Sequence, residues 1–343
     1  MRLTRFRVTT FNLLNLNEPG RRMYRDADGI APALYAQRIA WTGAMLRRAE
    51  AEVFGFQELW HPAPLAAALE AAGLAADYVA LTPPWLNGQH IACAAAVRRG
   101  LLVGEPEWIV KFPPGLRLQT RGEDPLSAAI SITLDSFSRP VLHLRIRPHD
   151  ARPEVHVFVC HFKSKGPTEV SGERWFKADP ARYGPHQAAI GAALSTIRRT
   201  AEAAALRVLL TEVMKGTGAP VIVLGDLNDE QNSNTLNILT EQPALLGPLS
   251  TGGRDTALYS VQSLQEMQSL RDVYYTYIHQ GAHGSLDHIL VSEEFYASSR
   301  NRRWAFDRLD VWNDHLNGEE AATAEGSNDH GVVRAHFRTV AAR

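Results

Sequence analysis

The fold is decided by the stretch Val221-Ile222-Val223-Leu224-Gly225-Asp226-Leu227-Asn228-Asp229. Its first four residues are all apolar and predict a buried strand, Val221–Leu224, which is followed at once by Asp226 and Asn228. Polar residues also mark the ends of other predicted strands, at Asn12, Gln57-Glu58, His161, Asp287-His288 and Asp329-His330. In layered α/β folds, strand ends meet at one edge, where ligands bind. The sequence therefore predicts an α/β fold with a functional site at that edge.

Predicted strands and helices alternate along the chain. The strands are Val8–Leu14, Val53–Gln57, Ile91–Val97, Ala128–Leu134, Val141–Ile146, Val155–Cys160, Val221–Leu224, Val273–Ile278, Leu286–Val291 and Val332–Phe337. The helices are Ala33–Arg48, Pro64–Ala72 and Pro185–Val213. Because no repeat or Pro/Gly/Ser-rich linker divides the chain, we predict one domain over residues 1–343. Two irregular stretches predict long loops at about 163–184 and 313–328.

Composition and charge exclude several classes of protein. The 343 residues include 45% hydrophobic residues, which rules out a disordered or collagen-like chain. The 36 Lys and Arg residues nearly balance the 37 Asp and Glu residues, for a net charge of -1. This balance argues against binding of nucleic acid through overall basicity, although it leaves room for a local basic groove.

The sequence also carries expectations about location and redox state. We find no run apolar enough to span a membrane, and we expect no membrane anchor. The basic N-terminus, Met1–Arg7, is followed by Thr9 and Thr10 rather than by an apolar signal core, so we expect a cytoplasmic protein. Cys93 and Cys160 lie in apolar strand-like runs and are expected to be buried thiols.

The polar residues at the strand ends indicate a type of chemistry. They comprise carboxylates, amides and imidazoles, and most of their donor atoms are oxygens. Oxygen ligands suit Mg²⁺ or Mn²⁺, whereas zinc would favour a closely spaced His or Cys cluster, which the sequence lacks. The sequence also lacks a P-loop and a Gly-x-Ser-x-Gly motif. This set fits metal-assisted hydrolysis of a phosphoester.

Six segments carry a resemblance to a known family. They are Thr10-Phe11-Asn12-Leu13-Leu14-Asn15-Leu16, Gly55-Phe56-Gln57-Glu58, Cys160-His161-Phe162-Lys163-Ser164-Lys165, Leu224-Gly225-Asp226-Leu227-Asn228-Asp229, Ser285-Leu286-Asp287-His288-Ile289-Leu290 and Ser327-Asn328-Asp329-His330-Gly331. In this order they resemble the endonuclease/exonuclease/phosphatase superfamily, with its deoxyribonuclease I-like fold. The resemblance implies a four-layer α/β sandwich of two packed mixed β-sheets flanked by helices. Tyr277 followed by the fifth segment looks most like bacterial nuclease-type members.

The resemblance implies a site for Mg²⁺ or Mn²⁺. Glu58 would be the principal metal ligand, Asn12 would support the metal or its water, and Asp329 would be a second carboxylate on the metal side. Each residue also has a structural alternative. Glu58 would be a strand-end glutamate facing water, Asn12 an ordinary loop-entry asparagine, and Asp329 a cap of the loop before Gly331. For Glu58 the flanking Gly-Phe-Gln makes that alternative the weaker one.

The resemblance also implies catalytic roles. Asp226 would orient or deprotonate the attacking water, and Asn228 would hold a phosphate oxygen. His161 and His330 would bind the phosphoryl oxygens as cations, with Asp287 as the partner of His330. The alternatives are an Asp-x-Asn turn for the first pair and a surface aspartate for Asp287.

Three points near these motifs stay open. Nuclease members imply an acidic partner for His161, and Glu52, Glu105 and Glu107 are candidates without a clear favourite. His288 and Asp229 adjoin motif residues, and we interpret both as structural because neighbours on a strand point to opposite faces. The number of metal ions is equally open.

A basic and aromatic segment adjoins His161. Within Lys163–Arg182, the residues expected to bind substrate are Lys163, Arg174 and Arg182, and the interleaved aromatic residues are Trp175, Phe176 and Tyr183. Such a segment could follow a phosphate backbone and stack bases. The equally weighted alternative is a solvated loop whose aromatic rings pack on the core. Arg117 and Arg121 form a second basic pair, and the loop Asn313–Asn328 is acidic.

The leading interpretation is a Mg²⁺- or Mn²⁺-dependent phosphodiester hydrolase, a nuclease that cleaves DNA or RNA by direct attack of an activated water. The first alternative is the same chemistry on a small-molecule or lipid-headgroup phosphoester. A non-catalytic binding scaffold is the alternative of a different class. The expected partner is the phosphoester substrate, with nucleic acid as the leading candidate, and we infer no obligate protein partner.

Overall fold

The computed structural model describes residues 2–24, 29–122, 128–241, 255–269, 274–318 and 326–340. In chain order its strands are β1 (Arg5–Leu16), β2 (Val53–Leu59), β3 (Tyr78–Leu81), β4 (Ala92–Arg98), β5 (Leu102–Lys111), β6 (Leu118–Gln119), β7 (Ser131–Ile132), β8 (Ser136–Ile146), β9 (Val155–His161), β10 (Val221–Asp226), β11 (Leu258–Ser260), β12 (Tyr277–His279), β13 (Ala282–Gly284), β14 (Asp287–Ser292), β15 (Trp304–Trp312) and β16 (Val332–Thr339). Its α-helices are α1 (Pro32–Ala49), α2 (Pro62–Ala71), α3 (Arg174–Ala178), α4 (Pro180–Tyr183), α5 (Gln187–Met214), α6 (Asn234–Thr240) and α7 (Val261–Gln268).

Two six-stranded mixed sheets form the centre of the fold. The first has the order β15-β16-β1-β2-β4-β3, and the second has the order β11-β14-β10-β9-β8-β5. The pairs β1–β2 and β9–β10 are parallel, and the other described pairs within these sheets are antiparallel. Side chains from both sheets form one central core. The prediction of two packed mixed sheets flanked by helices is confirmed.

Strand alternation explains how each sheet is covered on both faces. In β2, Val53 belongs to the core between the sheets, whereas Phe54 and Phe56 pack against α1 and α2. In the second sheet, Phe158 of β9 packs with apolar residues of α5 and α6. These layers explain the continuous apolar runs of the central strands, because both of their faces are buried.

Two glycines permit close approach of backbone and side chains near the site. A Cβ on Gly55 would lie 2.1 Å from Leu224 Cδ1 of the opposite sheet. Gly225 has φ +146°, and a Cβ there would lie 1.9 Å from the carbonyl oxygen of Cys160. Gly225 therefore requires glycine, because the atoms that a Cβ would meet are backbone, whereas at Gly55 the buried Leu224 side chain would have to shift. Each glycine directly precedes a segment that carries a site residue.

The topology brings the polar strand ends to one edge. In the first sheet, Asn12 of β1 lies opposite Gln57 of the parallel strand β2, where the regular pairing ends, and Glu58 follows Gln57. His161 and Asp226 end two parallel strands of the second sheet. Asp287 begins β14, which is antiparallel to β10 and so starts at the same edge. The predicted convergence of these side chains thus follows from strand direction.

The structure differs from the sequence predictions in several elements. The predicted strand Ala128–Leu134 contains only the two-residue strand β7, and Val273 of the predicted strand Val273–Ile278 lies outside the described residues. The stretch 163–184, predicted to be a loop, contains α3 and α4, because Asp179 caps α4 through the backbone N–H of Arg182. In the stretch 313–328, residues 314–318 form a 3₁₀ helix, and residues 319–325, with most of the acidic side chains, lie outside the described residues. The organisation as one domain stays a prediction.

Both cysteines are buried and neither forms a disulfide. Within the described ranges, no helix has both the length and the apolar character needed to cross a bilayer.

Candidate active site

Glu58, His161 and Asp226 meet between the two sheets. Each contributes one ligand atom, and these three atoms lie within 4.8 Å of one another. His161 Nε2 lies 3.8 Å from Glu58 Oε1 and 3.6 Å from Asp226 Oδ2. His161 and Asp226 are buried, and Glu58 is partly exposed. Two carboxylates and an imidazole at these distances can hold a divalent metal ion.

The backbone around Glu58 is held in an unusual conformation. Glu58 has φ +61°, and the pairing of β2 with β4 shifts register between Phe56 and Leu59. Asn15, with φ +50°, donates its backbone N–H to Glu58 Oε2 at 2.9 Å. A left-handed conformation costs a non-glycine residue about 1–2 kcal/mol. The surrounding structure offsets this cost and holds the backbone of Glu58 and Asn15 in the conformation that orients the Glu58 carboxylate.

Asn12 connects the two carboxylates. Its Nδ2 donates to Asp226 Oδ2 at 3.1 Å, and a second side-chain hydrogen bond joins it to Glu58. Its Oδ1 accepts the backbone N–H of Leu14 at 2.9 Å, so the amide oxygen is already engaged. Asn328, buried beside it, donates to the carbonyl oxygen of Asn12. In this geometry Asn12 orients the carboxylates, and its role as a metal ligand stays a prediction.

Asp226 and Asn228 form a rigid turn after β10. The backbone N–H of Asn228, which has φ +54°, donates to Asp226 Oδ1 at 2.9 Å. The side chain of Asn228 donates to the carbonyl oxygen of Phe162 at 3.1 Å. Burial raises the pKa of Asp226 to about 7, although the charge of His330 acts in the opposite direction. Burial also raises the pKa of Glu58, so the protein itself supplies too little positive charge for two ionised carboxylates.

His330 has the acidic partner that the resemblance implied. Its Nδ1 donates to Asp287 Oδ2 at 2.8 Å, and its Nε2 lies 4.0 Å from Asp226 Oδ2. Burial alone would lower the pKa of His330, but the charge and hydrogen bond of Asp287 raise it well above its usual value. Tyr277 packs on the imidazole with ring centroids 5.1 Å apart, and Thr276 Oγ1 accepts the backbone N–H of Asp287 at 3.2 Å. His330 is therefore a fixed imidazolium.

His161 differs from the expectation of a second cation. Its Nδ1 is buried and has no hydrogen-bond partner among the described residues. Burial lowers the pKa of His161 well below its usual value, and the charges of Arg139 and His330 act in the same direction. Its ring is therefore neutral near pH 7, the form in which an imidazole binds metal.

None of the three candidate partners pairs with His161. Glu52 precedes β2, at the opposite end from Glu58, and forms an ion pair with Arg7. Glu105 and Glu107 are exposed on β5.

Asp329 and a buried cation flank the three-residue cluster. Asp329 lines the same pocket as Glu58, and its Oδ1 is buried without a hydrogen-bond partner among the described residues. It lies outside the group of three atoms within 4.8 Å, so its predicted role as a metal ligand stays a prediction. Arg38 of α1 donates to the carbonyl oxygen of Leu13 at 2.6 Å, and it interacts electrostatically with both Asp329 and Glu58. Sequence reasoning missed Arg38, which is one of several basic residues on a predicted helix.

The residues predicted to bind substrate separate in space. The catalytic pocket has a volume of about 670 Å³, and Lys163 lines a larger cleft that adjoins it. Arg174 and Arg182 are exposed on α3 and α4 and line neither cavity. The neighbouring rings of Trp175, Phe176 and Tyr183 pack on one another at centroid distances of 4.9–6.3 Å. Arg139, on β8, lines both cavities and had no recognisable signal in the sequence.

The fold is similar to those of known proteins. A sequence model of the Endonuclease/Exonuclease/phosphatase family matches residues 9–309. The chain superimposes on the catalytic domain of human Nocturnin with TM-score 0.57 and 14% identity, covering 99% of this chain and 96% of that one. It superimposes on a humanized Danio rerio TDP2 with TM-score 0.54 and 14% identity, covering 98% of this chain and 100% of that one. Superposition on a mannosyl-6-phosphatase from Bacteroides thetaiotaomicron gives TM-score 0.51 and 16% identity, and it covers 97% of this chain and 99% of that one. No curated protein matches the sequence significantly.

Proposed function

The chain belongs to the Endonuclease/Exonuclease/phosphatase family, and from this premise we propose that it is a metal-dependent phosphodiester hydrolase, a nuclease that cleaves DNA or RNA. Members of this family are hydrolases that act on phosphoesters. The observation that supports the proposal most strongly is the convergence of Glu58, His161 and Asp226 within 4.8 Å, beside the ion pair of His330 with Asp287.

The residues present fit a divalent metal ion. Glu58 and Asp226 offer carboxylate oxygens, His161 offers a neutral imidazole, and the raised pKa values of both carboxyl groups indicate a local shortage of positive charge. Hard oxygen ligands favour Mg²⁺ or Mn²⁺, and the imidazole makes Mn²⁺ the better match of the two. When bound, the metal would neutralise phosphate oxygens and lower the pKa of a water.

The chain's own residues account for the remaining chemistry. Asp226, whose Oδ2 faces both histidines, is suited to orient the attacking water and accept its proton. The imidazolium of His330, fixed by Asp287, can hydrogen-bond a phosphoryl oxygen through Nε2 and stabilise the charge that develops there. Asn228 has a second amide hydrogen besides the one donated to Phe162, and this hydrogen can hold another phosphate oxygen.

A panel of substrates tests the proposal. We expect purified protein to cleave bis(p-nitrophenyl) phosphate and DNA or RNA with Mn²⁺ or Mg²⁺, and to lose this activity in chelator. Plasmid DNA, RNA, a phosphomonoester and sphingomyelin, assayed side by side, identify the substrate class. Absence of hydrolysis of every phosphoester with either metal would contradict the proposal and support a binding scaffold.

A second candidate is hydrolysis of a small phosphoester. The catalytic pocket, at about 670 Å³, lies within the ~300–1,000 Å³ range of small-molecule sites, and a mannosyl-6-phosphatase is among the similar structures. Salt separates the two candidates, because contacts with several phosphates release counterions on binding. A nuclease should lose activity steeply between 50 and 200 mM salt, on the order of 10³-fold, whereas a small-substrate enzyme should change little. The cytoplasmic location and the lack of an obligate protein partner also stay predictions.

A further inference from the structure

A second cleft of about 1240 Å³ opens beside the catalytic pocket. Tyr24 and Arg139 line both cavities, so the two are continuous at this point. We call the second cavity the side cleft. Its lining includes the aromatic residues Tyr24, Trp60, Trp85 and Phe137 and the cationic residues Arg22, Arg139, Lys163 and Arg198.

Arg139, Lys163 and Arg198 supply positive charge to the side cleft. No Asp or Glu is among the described residues that line it. The nearby Glu202 is buried, and its two oxygens accept the backbone N–H groups of Ser138 and Lys163. Arg139, Lys163 and Arg198 all line the side cleft, so three cations are grouped there. The cleft therefore attracts anions.

Tyr24, Trp60 and Trp85 lie in loops, and hydrogen bonds join Tyr24 and Trp60 to the catalytic residues through Asn15. Tyr24 is 60% exposed and packs edge-to-face on Trp60, with centroids 5.1 Å apart. The hydroxyl of Tyr24 and the indole N–H of Trp60 both donate to Asn15 Oδ1, at 3.0 and 3.1 Å. Asn15 in turn donates its backbone N–H to Glu58. A ring stacked on Tyr24 would thus be held in a fixed relation to the Glu58 carboxylate.

Trp85 adds a second exposed ring, with 42% of its surface accessible. Indole rings with this exposure on a cleft wall can stack on the flat face of a base, which is available only in an unpaired nucleotide. A volume above ~1,000 Å³ also exceeds what a typical small ligand fills, so the cleft suits an extended ligand.

We propose that the side cleft binds an unpaired nucleotide adjacent to the phosphodiester that is cleaved. Its phosphate lies against Arg139, Lys163 and Arg198, and its base stacks on Tyr24 or Trp85. This inference rests on the proposed nuclease function for the identity of the bond that is cleaved, and it makes single-stranded nucleic acid the preferred substrate.

Two variants and two matched controls test the side cleft. Trp85→Ala removes an exposed ring, and Trp175→Ala removes a ring of similar exposure, 40%, that lies outside the cleft. Arg198→Glu reverses a charge on the cleft wall, and Arg300→Glu reverses an exposed charge beyond the far end of β14. These four changes avoid the residues assigned to catalysis.

Binding is measured by calorimetry in chelator, where hydrolysis is not expected, with three tetrameric probes. The first is a thymidine oligonucleotide, the second is an abasic oligonucleotide with the same phosphates, and the third is a thymidine oligonucleotide with uncharged methylphosphonate linkages. We expect Trp85→Ala to weaken binding of the first probe about tenfold and to leave binding of the abasic probe unchanged. We expect Arg198→Glu to weaken binding of both charged probes and to leave binding of the uncharged probe unchanged. For the charged probes, the slope of log binding constant against log salt concentration should fall in magnitude by about one.

The outcomes separate this inference from the proposed function. Three results would each overturn the side-cleft proposal. The cleft variants could have the same effects as their controls, the unsubstituted protein could fail to bind the first probe, or it could bind a duplex as tightly as the first probe. If the protein hydrolyses no phosphoester, the nuclease proposal fails, while the probe pattern still decides whether the cleft binds nucleotides. If hydrolysis occurs and the probe pattern is absent, only the side-cleft proposal fails.

Discussion

The Nε2 atoms of His330 and His161 lie 4.0 and 3.6 Å from the same oxygen of Asp226, Oδ2, yet the surroundings of the two rings differ. His330 is paired with Asp287, and its pKa is raised well above the usual value. His161 has an unpartnered Nδ1, and its pKa is lowered well below the usual value by burial and nearby cations. The same residue type therefore serves as a cation at one position and as a neutral donor at the other.

The difference shows that a hydrogen-bonded carboxylate at Nδ1 determines the role of each imidazole. Both rings are buried, so burial alone would make both neutral. Only His330 gains a hydrogen-bonded carboxylate on the side away from Asp226. We therefore expect substitutions around His330 to affect chemistry and substitutions around His161 to affect metal binding.

The largest effect is expected at the carboxylate that both histidines face. Asp226→Asn keeps the size of the side chain and removes its charge, so metal binding and proton acceptance should both fail. Turnover of bis(p-nitrophenyl) phosphate should fall by about 10³-fold or more, with the fold retained by circular dichroism. Near-normal turnover would remove Asp226 from the mechanism.

The next largest effect is expected at the partner of His330. Asp287→Asn should leave the imidazole without its stabilising charge and lower kcat about 10²-fold. The metal concentration that gives half-maximal activity should stay the same, because Asp287 is not in the metal-binding group. A weakened metal affinity with unchanged kcat would reverse the roles assigned to the two histidines.

His161→Gln should show the opposite pattern. Loss of the imidazole donor should weaken Mn²⁺ binding about 10–100-fold, the range found when a metal site is perturbed. High Mn²⁺ should restore much of the activity, and titration of activity against Mn²⁺ measures both quantities. A kcat that stays low at saturating metal would indicate that His161 acts on the substrate instead.

The smallest effect is expected at Thr276, whose Oγ1 accepts the backbone N–H groups of Leu286 and Asp287. Thr276→Val preserves the shape and removes the acceptor, at a cost of about 1 kcal/mol per hydrogen bond. We expect a fewfold decrease in kcat with unchanged metal dependence. Thr276→Ser, which retains the acceptor, should keep activity near that of the unsubstituted protein.

The strands that could be predicted from the sequence are those whose own residues form a clear apolar pattern. Strands with continuous apolar runs, such as β9 and β10, were predicted because both of their faces are buried. The edge strands β5 and β15 were not, because their residues are mostly half-buried or exposed and their apolar pattern is weak. Their place in the sheets is determined by pairing with β8 and β16, which are distant in sequence.

The same distinction applies to the site. Glu58, Asp226 and Asp287 stand at strand ends and were recognisable in order along the chain, and the structure brings them to one edge. Arg38 and Arg139 were not recognisable, because each acts through contacts formed only when helix and strand pack against loops far away in sequence. The neutral state of His161 also required the structure, since it depends on which charges surround the ring after folding.

The central claim is that Glu58, His161 and Asp226 hold a catalytic divalent ion. Diffraction from crystals grown with Mn²⁺, recorded at the manganese absorption edge, tests it most directly. The account predicts an anomalous peak within bonding distance of Glu58 and Asp226 and facing His161 Nε2, and loss of that peak in Asp226→Asn. An ordered manganese ion at another place in the pocket, or a peak that persists in Asp226→Asn, would contradict it.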